Sequence, residues 1–196
     1  MKVQAKDIVR DYDSDPNENP WVHGKPQPEN IEVVPYDRAW PERYLAIAEQ
    51  IKAALGATVL QLEHIGSTAV PGLAAKPVID IDLTVPDPTD EAAYVPALES
   101  LGFDLYIREP SWHQHRCLRL NGPRVNLHVF GPDCPESIRH LMFRDWLRTH
   151  PEDRALYEQA KQSSLDNVEV VMDYNKRKEP VVREIYHRLF QEAGLI

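Results

Sequence analysis

The fold of this chain is decided by His64-Ile-Gly-Ser-Thr68 and by Ala75-Lys-Pro-Val-Ile-Asp-Ile-Asp-Leu83. The first stretch predicts a polar Gly-Ser turn, and the second predicts a strand. Because strand side chains alternate between faces, Asp80 and Asp82 lie on one face of it and the aliphatic side chains on the other. The apolar positions indicate a central strand. Two neighbouring carboxylates repel each other, and a hard cation such as Mg²⁺ relieves that repulsion.

The predicted turn is suited to phosphate. Gly66 lets the backbone approach a ligand, Ser67 and Thr68 carry hydroxyl donors, and Lys76 adds a compact cation. Metal on Asp80 and Asp82 together with phosphate on the turn predicts metal-assisted chemistry on a nucleotide or another phosphate ester. Each feature also has an ordinary structural explanation. The Asp pair can lie on a solvated strand face, the Gly66 segment can be an ordinary turn, and Lys76 can be a solvent-facing loop residue.

Composition narrows the choice of partners. The chain has 196 residues, 22 Lys and Arg against 31 Asp and Glu, and a net charge of −9. An acidic chain argues against nucleic-acid binding, for which a basic face is expected. Cys117 and Cys134 have no metal or redox spacing, and no apolar run has the length of a membrane span. We therefore expect a cytoplasmic protein without a nucleic-acid or membrane partner.

The pattern along the chain predicts an α+β fold. Residues 1–30 are polar and proline-rich and predict an extended arm or a poorly ordered leader. Residues 31–132 predict an α+β core, and residues 133–196 predict a helical part packing on it. Predicted helices cover 40–55, 90–101, 135–149, 152–165 and 174–193, with a break near 166–168. Predicted strands cover 58–64, 77–85, 103–107, 116–120 and 125–130, the last two joined by a turn at Asn121-Gly-Pro123.

Three stretches carry a resemblance to a known family: Val34-Pro-Tyr-Asp-Arg-Ala-Trp-Pro-Glu-Arg-Tyr44, His64 through Asp80, and Phe143-Arg-Asp-Trp-Leu-Arg148. Over about residues 31–192 the chain resembles the GrpB family. That resemblance implies a nucleotidyltransferase-like mixed β-sheet with flanking helices, followed by a helical segment. In some bacteria a similar domain is fused to dephospho-CoA kinase, which makes a coenzyme A precursor a candidate ligand.

The resemblance also implies a site. The nucleotidyltransferase pattern has a Gly-Ser turn after the first strand, an Asp pair on the second and a third carboxylate on a later strand. Gly66-Ser67 matches the first element, and Asp80 and Asp82 match the second. His128 stands where the third carboxylate is expected, and a neutral imidazole binds metal without supplying negative charge. Asp80, Asp82 and His128 are thus the predicted catalytic and metal-binding residues.

Further residues are candidates for the ligand. Arg116 is a candidate phosphate clamp. Tyr157, Lys161, Tyr174 and Lys178 could face a bound nucleotide: Lys161 and Lys178 are candidate phosphate contacts, and Tyr174 can stack on a base or donate a hydrogen bond. Amphipathic helix surfaces explain these four positions at least as well. His113, His115 and His128 form a second candidate metal cluster, with unrelated polar positions as the alternative, favoured for His113.

The sequence supports two main functions. The first is Mg²⁺- or Mn²⁺-dependent transfer of a nucleotidyl group from a nucleoside triphosphate to a small-molecule acceptor. The second is a non-catalytic module that binds a nucleotide or a coenzyme A precursor, favoured by the missing third carboxylate. Hydrolysis at a His/Asp metal site is a weaker third possibility.

Overall fold

A mixed five-stranded sheet organises the protein. The computed structural model describes residues 3–12, 15–24, 31–165 and 171–196. The strands are β1 (Gln61–Ile65), β2 (Ile79–Thr84), β3 (Asp104–Glu109), β4 (His115–Asn121) and β5 (Arg124–Phe130), in the order β1-β2-β5-β4-β3. β2 pairs with β5 in parallel, and the other pairs are antiparallel. The predicted α+β class is confirmed, including the central place of β2 and the β4–β5 hairpin.

The helices lie on both faces of the sheet. They are α1 (Ala5–Val9), α2 (Trp40–Leu55), α3 (Val95–Glu99), α4 (Pro135–Thr149), α5 (Pro151–Ser163) and α6 (Val171–Glu192). The helix predicted for 90–101 is divided, because a 3₁₀ turn at Glu91–Ala93 precedes α3. Pro96 lacks an amide hydrogen and fits only the first turn of a helix, so α3 begins anew beside it. The break predicted near 166–168 falls outside the described residues.

The alternation along β2 separates a core from a cavity. Ile79, Ile81 and Leu83 are at most 2% exposed and pack in the core cluster that α2 and α3 complete. Asp80 and Asp82 emerge on the other face, which α4, α5 and α6 cover. No helix in the described part of the chain combines the length and the apolar character needed to cross a membrane.

The described part of the N-terminal arm folds onto the domain, a point on which its composition is silent. The buried guanidinium of Arg139 donates to the carbonyl oxygens of Ile8 and Arg10, which holds α1 beside α4. Farther along, the Val22 amide donates to the Tyr106 carbonyl oxygen, so this segment pairs with the free edge of β3. Composition does not reveal these contacts, because their partners lie 84 to 131 residues away in the sequence.

Candidate functional site

A cavity of about 490 Å³ lies between the sheet and the C-terminal helices. We call Glu109, His115, Asn126, His128 and Asp80 the sheet wall, and Tyr157, Lys161, Tyr174 and Lys178 the helical wall. The cavity lining includes every predicted site residue except Asp82 and Arg116, namely Gly66, Ser67, Thr68, Lys76, Asp80, His128, Lys161, Tyr174 and Lys178. Residues far apart in sequence thus meet at one place.

The turn after β1 presses against the first carboxylate. Gly66 has φ +69° and ψ −171°, a combination that side chains other than glycine's hydrogen rarely permit. A Cβ atom at this position would lie 2.7 Å from Asp80 Oδ2. Glycine is therefore required here for two independent reasons, the backbone conformation and the close approach of the carboxylate.

The Thr68 hydroxyl is engaged within the protein. It donates to the Val78 carbonyl oxygen at 3.0 Å and lies 3.0 Å from His64 Nε2, whose N–H it accepts. Burial, with Arg148 and Arg144 nearby, lowers the pKa of His64 to about 4, so this imidazole is neutral at pH 7. Thr68 is only 1% exposed and fixes the turn to the start of β2. Phosphate binding by its hydroxyl stays a prediction, and Ser67 is the more accessible of the two hydroxyls.

The two carboxylates differ in their surroundings. Asp80 is 28% exposed at its side chain, and its Oδ1 accepts a hydrogen bond from Asn126 Nδ2 at 2.9 Å. Asp82 is 4% exposed at its side chain. Its Oδ2 accepts from His140 Nδ1 at 2.9 Å, whereas its buried Oδ1 has no hydrogen-bond partner among the described residues. Asp80 thus faces the cavity directly, and Asp82 lies behind it.

His140 supplies the positive charge beside this pair. Burial alone would lower the pKa of His140, but Asp82, through its charge and hydrogen bond, and then Glu136 and Asp80 raise it to about 9. The imidazolium form therefore prevails at pH 7 and offsets one of the two negative charges. His140 comes from α4, and no spacing in the sequence connects it to β2.

The donors present fit a metal held by two carboxylates. Asp80 opens to the cavity, and the unpartnered Oδ1 of Asp82 is the kind of buried oxygen that a cation satisfies. Within residues 3–12, 15–24, 31–165 and 171–196, no group of three His, Cys, Asp or Glu side chains is arranged to hold a metal. Mg²⁺ commonly takes one or two protein carboxylates and completes its shell with water and phosphate oxygens.

His128 lies on the cavity side of β5, beside the two carboxylates of β2, as the sequence analysis expects. In the parallel β2–β5 pair, Asn126 stands opposite Asp80 and His128 opposite Asp82. His128 Nε2 lies 4.0 Å from Asp80 Oδ1, and His128 Nδ1 lies 3.0 Å from His115 Nε2. Of the three-histidine cluster that the sequence suggested, His115 and His128 are in contact, whereas His113 packs on Tyr12 and Trp112.

Arg116 does not reach the cavity. Its guanidinium pairs with Glu91 at 2.6 Å and donates to the Gln114 carbonyl oxygen. Neighbouring residues of a strand point to opposite faces, and His115 already faces the cavity from β4. Arg116 must then face away, so the structure places it outside the predicted phosphate-binding group.

The helical wall presents two amines among aromatic rings. Lys161 is 2% exposed, donates to the Ala74 carbonyl oxygen and has its pKa lowered by burial to about 7. Lys178 Nζ donates to the Tyr157 hydroxyl at 3.3 Å. Lys76, across the cavity, places its amine 5.2 Å from the centroid of the Tyr174 ring. Lys161 therefore anchors the loop before β2, while Lys76 and Lys178 are the better placed amines for a ligand.

Sequence reasoning missed three residues of the site: Glu109, Asn126 and His140. A signal existed for Asn126, because it precedes His128 by two positions on the same strand and so shares its face. A weaker signal existed for Glu109, which ends the strand beside the hairpin. His140 is brought to the cavity by helix packing, which leaves no local pattern, whereas Tyr157 lines the cavity as the sequence analysis expects.

Comparison with known proteins gives one family. A family model described as GrpB protein matches residues 30–188. A UPF0157 protein of Halalkalibacterium halodurans is 44% identical over 165 residues, 84% of this chain and 85% of that protein. A dephospho-CoA kinase of Mycolicibacterium paratuberculosis is 32% identical over 83% of this chain but only 47% of the kinase. A crystal structure of the conserved protein GrpB from Enterococcus faecalis aligns with a TM-score of 0.69 at 28% identity, covering 83% of this chain and 99% of that one. The chain belongs to the GrpB family.

Proposed function

We propose that the cavity binds a nucleoside triphosphate and that the protein transfers its nucleotidyl group to a small-molecule acceptor. The observation that carries this proposal is the meeting of the Gly66 turn, the Asp80 carboxylate and the amines of Lys76 and Lys178 around one cavity. Its volume of about 490 Å³ lies within the usual range of small-ligand sites, which is about 300–1,000 Å³.

The charge arrangement supports a phosphate ligand. Lys76 and Lys178 approach the cavity from different elements, the first from the loop before β2 and the second from α6. Both lie against Tyr174, within 5.2 and 5.7 Å of its ring centroid. A polyphosphate between them would gain two cationic contacts, and the Gly66-Ser67 turn would meet its other side.

Asp80 and Asp82 would hold the Mg²⁺ or Mn²⁺ ion, with the unpartnered Oδ1 of Asp82 as one ligand atom. The ion would neutralise phosphate oxygens and so favour attack at the α-phosphorus. The protein's own groups do the rest. Asn126 orients the Asp80 carboxylate, His140 offsets the charge of Asp82, and Gly66 lets the turn approach the Asp80 carboxylate closely.

A panel of ligands tests this proposal. Thermal unfolding would be followed with ATP, GTP, CTP, UTP, dephospho-CoA and CoA, each with Mg²⁺ and with EDTA. A ligand at about 100 times its Kd adds about 2.7 kcal/mol to stability. We expect a Mg²⁺-dependent increase with a nucleoside triphosphate in the wild type and in the exposed control Asp90→Ala, and its loss in Asp80→Ala. No increase with any triphosphate would contradict the proposal.

A binding module without catalysis is the second candidate, and one observation favours it. The strand beside β2 carries Asn126 and His128 instead of a third carboxylate, and His140 already compensates Asp82. Such a module would be stabilised by a nucleotide or by a coenzyme A precursor equally with Mg²⁺ and with EDTA. Release of pyrophosphate from a triphosphate would exclude it.

A further inference from the structure

Three side chains of the sheet wall form a continuous hydrogen-bonded series. Glu109 Oε2 lies 2.7 Å from His115 Nδ1, and His115 Nε2 lies 3.0 Å from His128 Nδ1. His128 Nε2 then faces Asp80 Oδ1 across 4.0 Å, which is beyond hydrogen-bond length. The series runs from β3 through β4 to β5 and ends at the cavity.

The hydrogen bonds leave few arrangements of protons. An ionised Glu109 only accepts, so His115 donates from Nδ1 and its Nε2 carries a lone pair. His128 must then donate from Nδ1 to that lone pair, and its own Nε2 is left without a proton. The proton of each contact, between Glu109 and His115 and between His115 and His128, is thus assigned from the two distances and the chemistry of the groups.

The surroundings of His115 suit an orienting role. Its side chain is 4% exposed and lies between the rings of Phe130, at 4.9 Å, and Trp112, at 5.1 Å. These rings offer no hydrogen bond to either nitrogen, so Glu109 and His128 alone decide which nitrogen holds the proton. A histidine ring with one nitrogen fixed in this way presents the other in a set direction.

We propose that Glu109 and His115 are positioning residues that hold His128 as its Nδ1–H tautomer, with the Nε2 lone pair facing the cavity. Nε2 and Asp80 Oδ1 are then two acceptors that face each other across 4.0 Å. An anionic group would be repelled there, whereas a hydroxyl can donate to either of them. If the proposed function holds, the position between His128 Nε2 and Asp80 Oδ1 belongs to a hydroxyl group of the acceptor substrate.

Nitrogen NMR of ligand-free, ¹⁵N-histidine-labelled protein at pH 7 tests the tautomer directly. We expect His128 to be protonated at Nδ1 and bare at Nε2 in the wild type. In His115→Phe, which keeps an aromatic ring between Phe130 and Trp112, and in Glu109→Leu, the pattern should be lost. Trp112→Phe, which changes a neighbour of His115 outside the series, should leave it unchanged.

Each result bears on one proposal. An Nε2–H tautomer of His128 in the wild type would overturn the positioning role proposed for Glu109 and His115, whether or not nucleotide binds. An unchanged tautomer in both His115→Phe and Glu109→Leu would overturn it as well. A second readout uses water as the hydroxyl and ATP with Mg²⁺ as the donor. We expect formation of AMP to fall about 10- to 100-fold in His115→Phe with the Kd for ATP unchanged. Absence of ATP binding in the wild type would instead refute the proposed function and leave the NMR result standing.

Discussion

The sheet wall and the helical wall enclose the same cavity but are built differently. In the sheet wall, polar groups are paired with one another: Asn126 with Asp80, and Glu109 with His115 and His128. In the helical wall, Lys178 contacts a tyrosine hydroxyl and Lys161 a backbone carbonyl. A wall of mutually fixed groups suits precise positioning of a reacting centre, whereas amines on tyrosine rings suit contact with a charged and variable ligand.

The largest expected effect breaks the link between the sheet and α4. His140→Ala leaves the nearly buried Asp82 without its partner, and loss of one member of a buried pair costs about 3–5 kcal/mol. Urea unfolding measures this loss. The exposed pair of His23 and Asp104, also 3.0 Å apart, is the control, and His23→Ala should cost less than about 1 kcal/mol. Equal losses of unfolding free energy in the two variants would show that the burial of Asp82 does not strengthen its pair with His140.

The next effect concerns the turn that presses on Asp80. Gly66→Ala should cost about 1–3 kcal/mol, because it combines a backbone strained for alanine with a Cβ atom 2.7 Å from Asp80 Oδ2. Gly72 also has a positive φ, +79°, but open space around its Cβ position. Thermal unfolding should therefore show a larger loss for Gly66→Ala than for Gly72→Ala. The reverse order would refute close packing of the turn on the carboxylate.

The third effect is the pH dependence of stability contributed by Lys161 of the helical wall. The pKa of Lys161 is about 7 in the folded protein and near 10.5 when unfolded, so between these values the unfolded chain binds the extra proton. Stability should then rise with pH from about 7 to 10, by up to about 1.4 kcal/mol per pH unit from this group. Lys161→Met should reduce that slope, measured by urea unfolding at several pH values. Lys52→Met, at an exposed lysine, should not, and an equal slope in both variants would refute the burial of Lys161.

The smallest expected effect is on ligand affinity when Arg116 is changed. Because Arg116 faces away from the cavity and pairs with Glu91, Arg116→Gln should leave the Kd for a triphosphate within about twofold of the wild type. Lys178→Gln, on the helical wall, should weaken the same binding. Calorimetric titration of both variants compares them, and a larger loss for Arg116→Gln would return that residue to the binding site.

The sequence predicts part of the sheet wall, but it does not predict how the C-terminal helices pack over the sheet. The period of two along β2 identifies the face that Asp80 and Asp82 share, and the Asn121 turn brings His128 beside His115. Because side chains alternate along β4, Arg116 also points away from the cavity once His115 is known to face it. The pairing of His140 with Asp82, however, depends on how α4 packs over the sheet, and no local pattern encodes it.

The same limit applies to side chains whose roles changed. Thr68 and Lys161 carry groups that can bind phosphate, yet the structure uses them on the carbonyl oxygens of Val78 and Ala74. Backbone acceptors are present at every residue, so the sequence cannot indicate which of them a given side chain will meet. The contacts of the N-terminal arm could not be predicted for the same reason.

A crystal structure with Mn²⁺ and a non-hydrolysable ATP analogue, in which manganese is located by its anomalous signal, would test the proposed site most directly. We expect one Mn²⁺ contacting the carboxylates of Asp80 and Asp82, with the phosphates between the Gly66 turn and the amines of Lys76 and Lys178. An analogue bound outside this cavity, or Mn²⁺ bound away from both carboxylates, would contradict it.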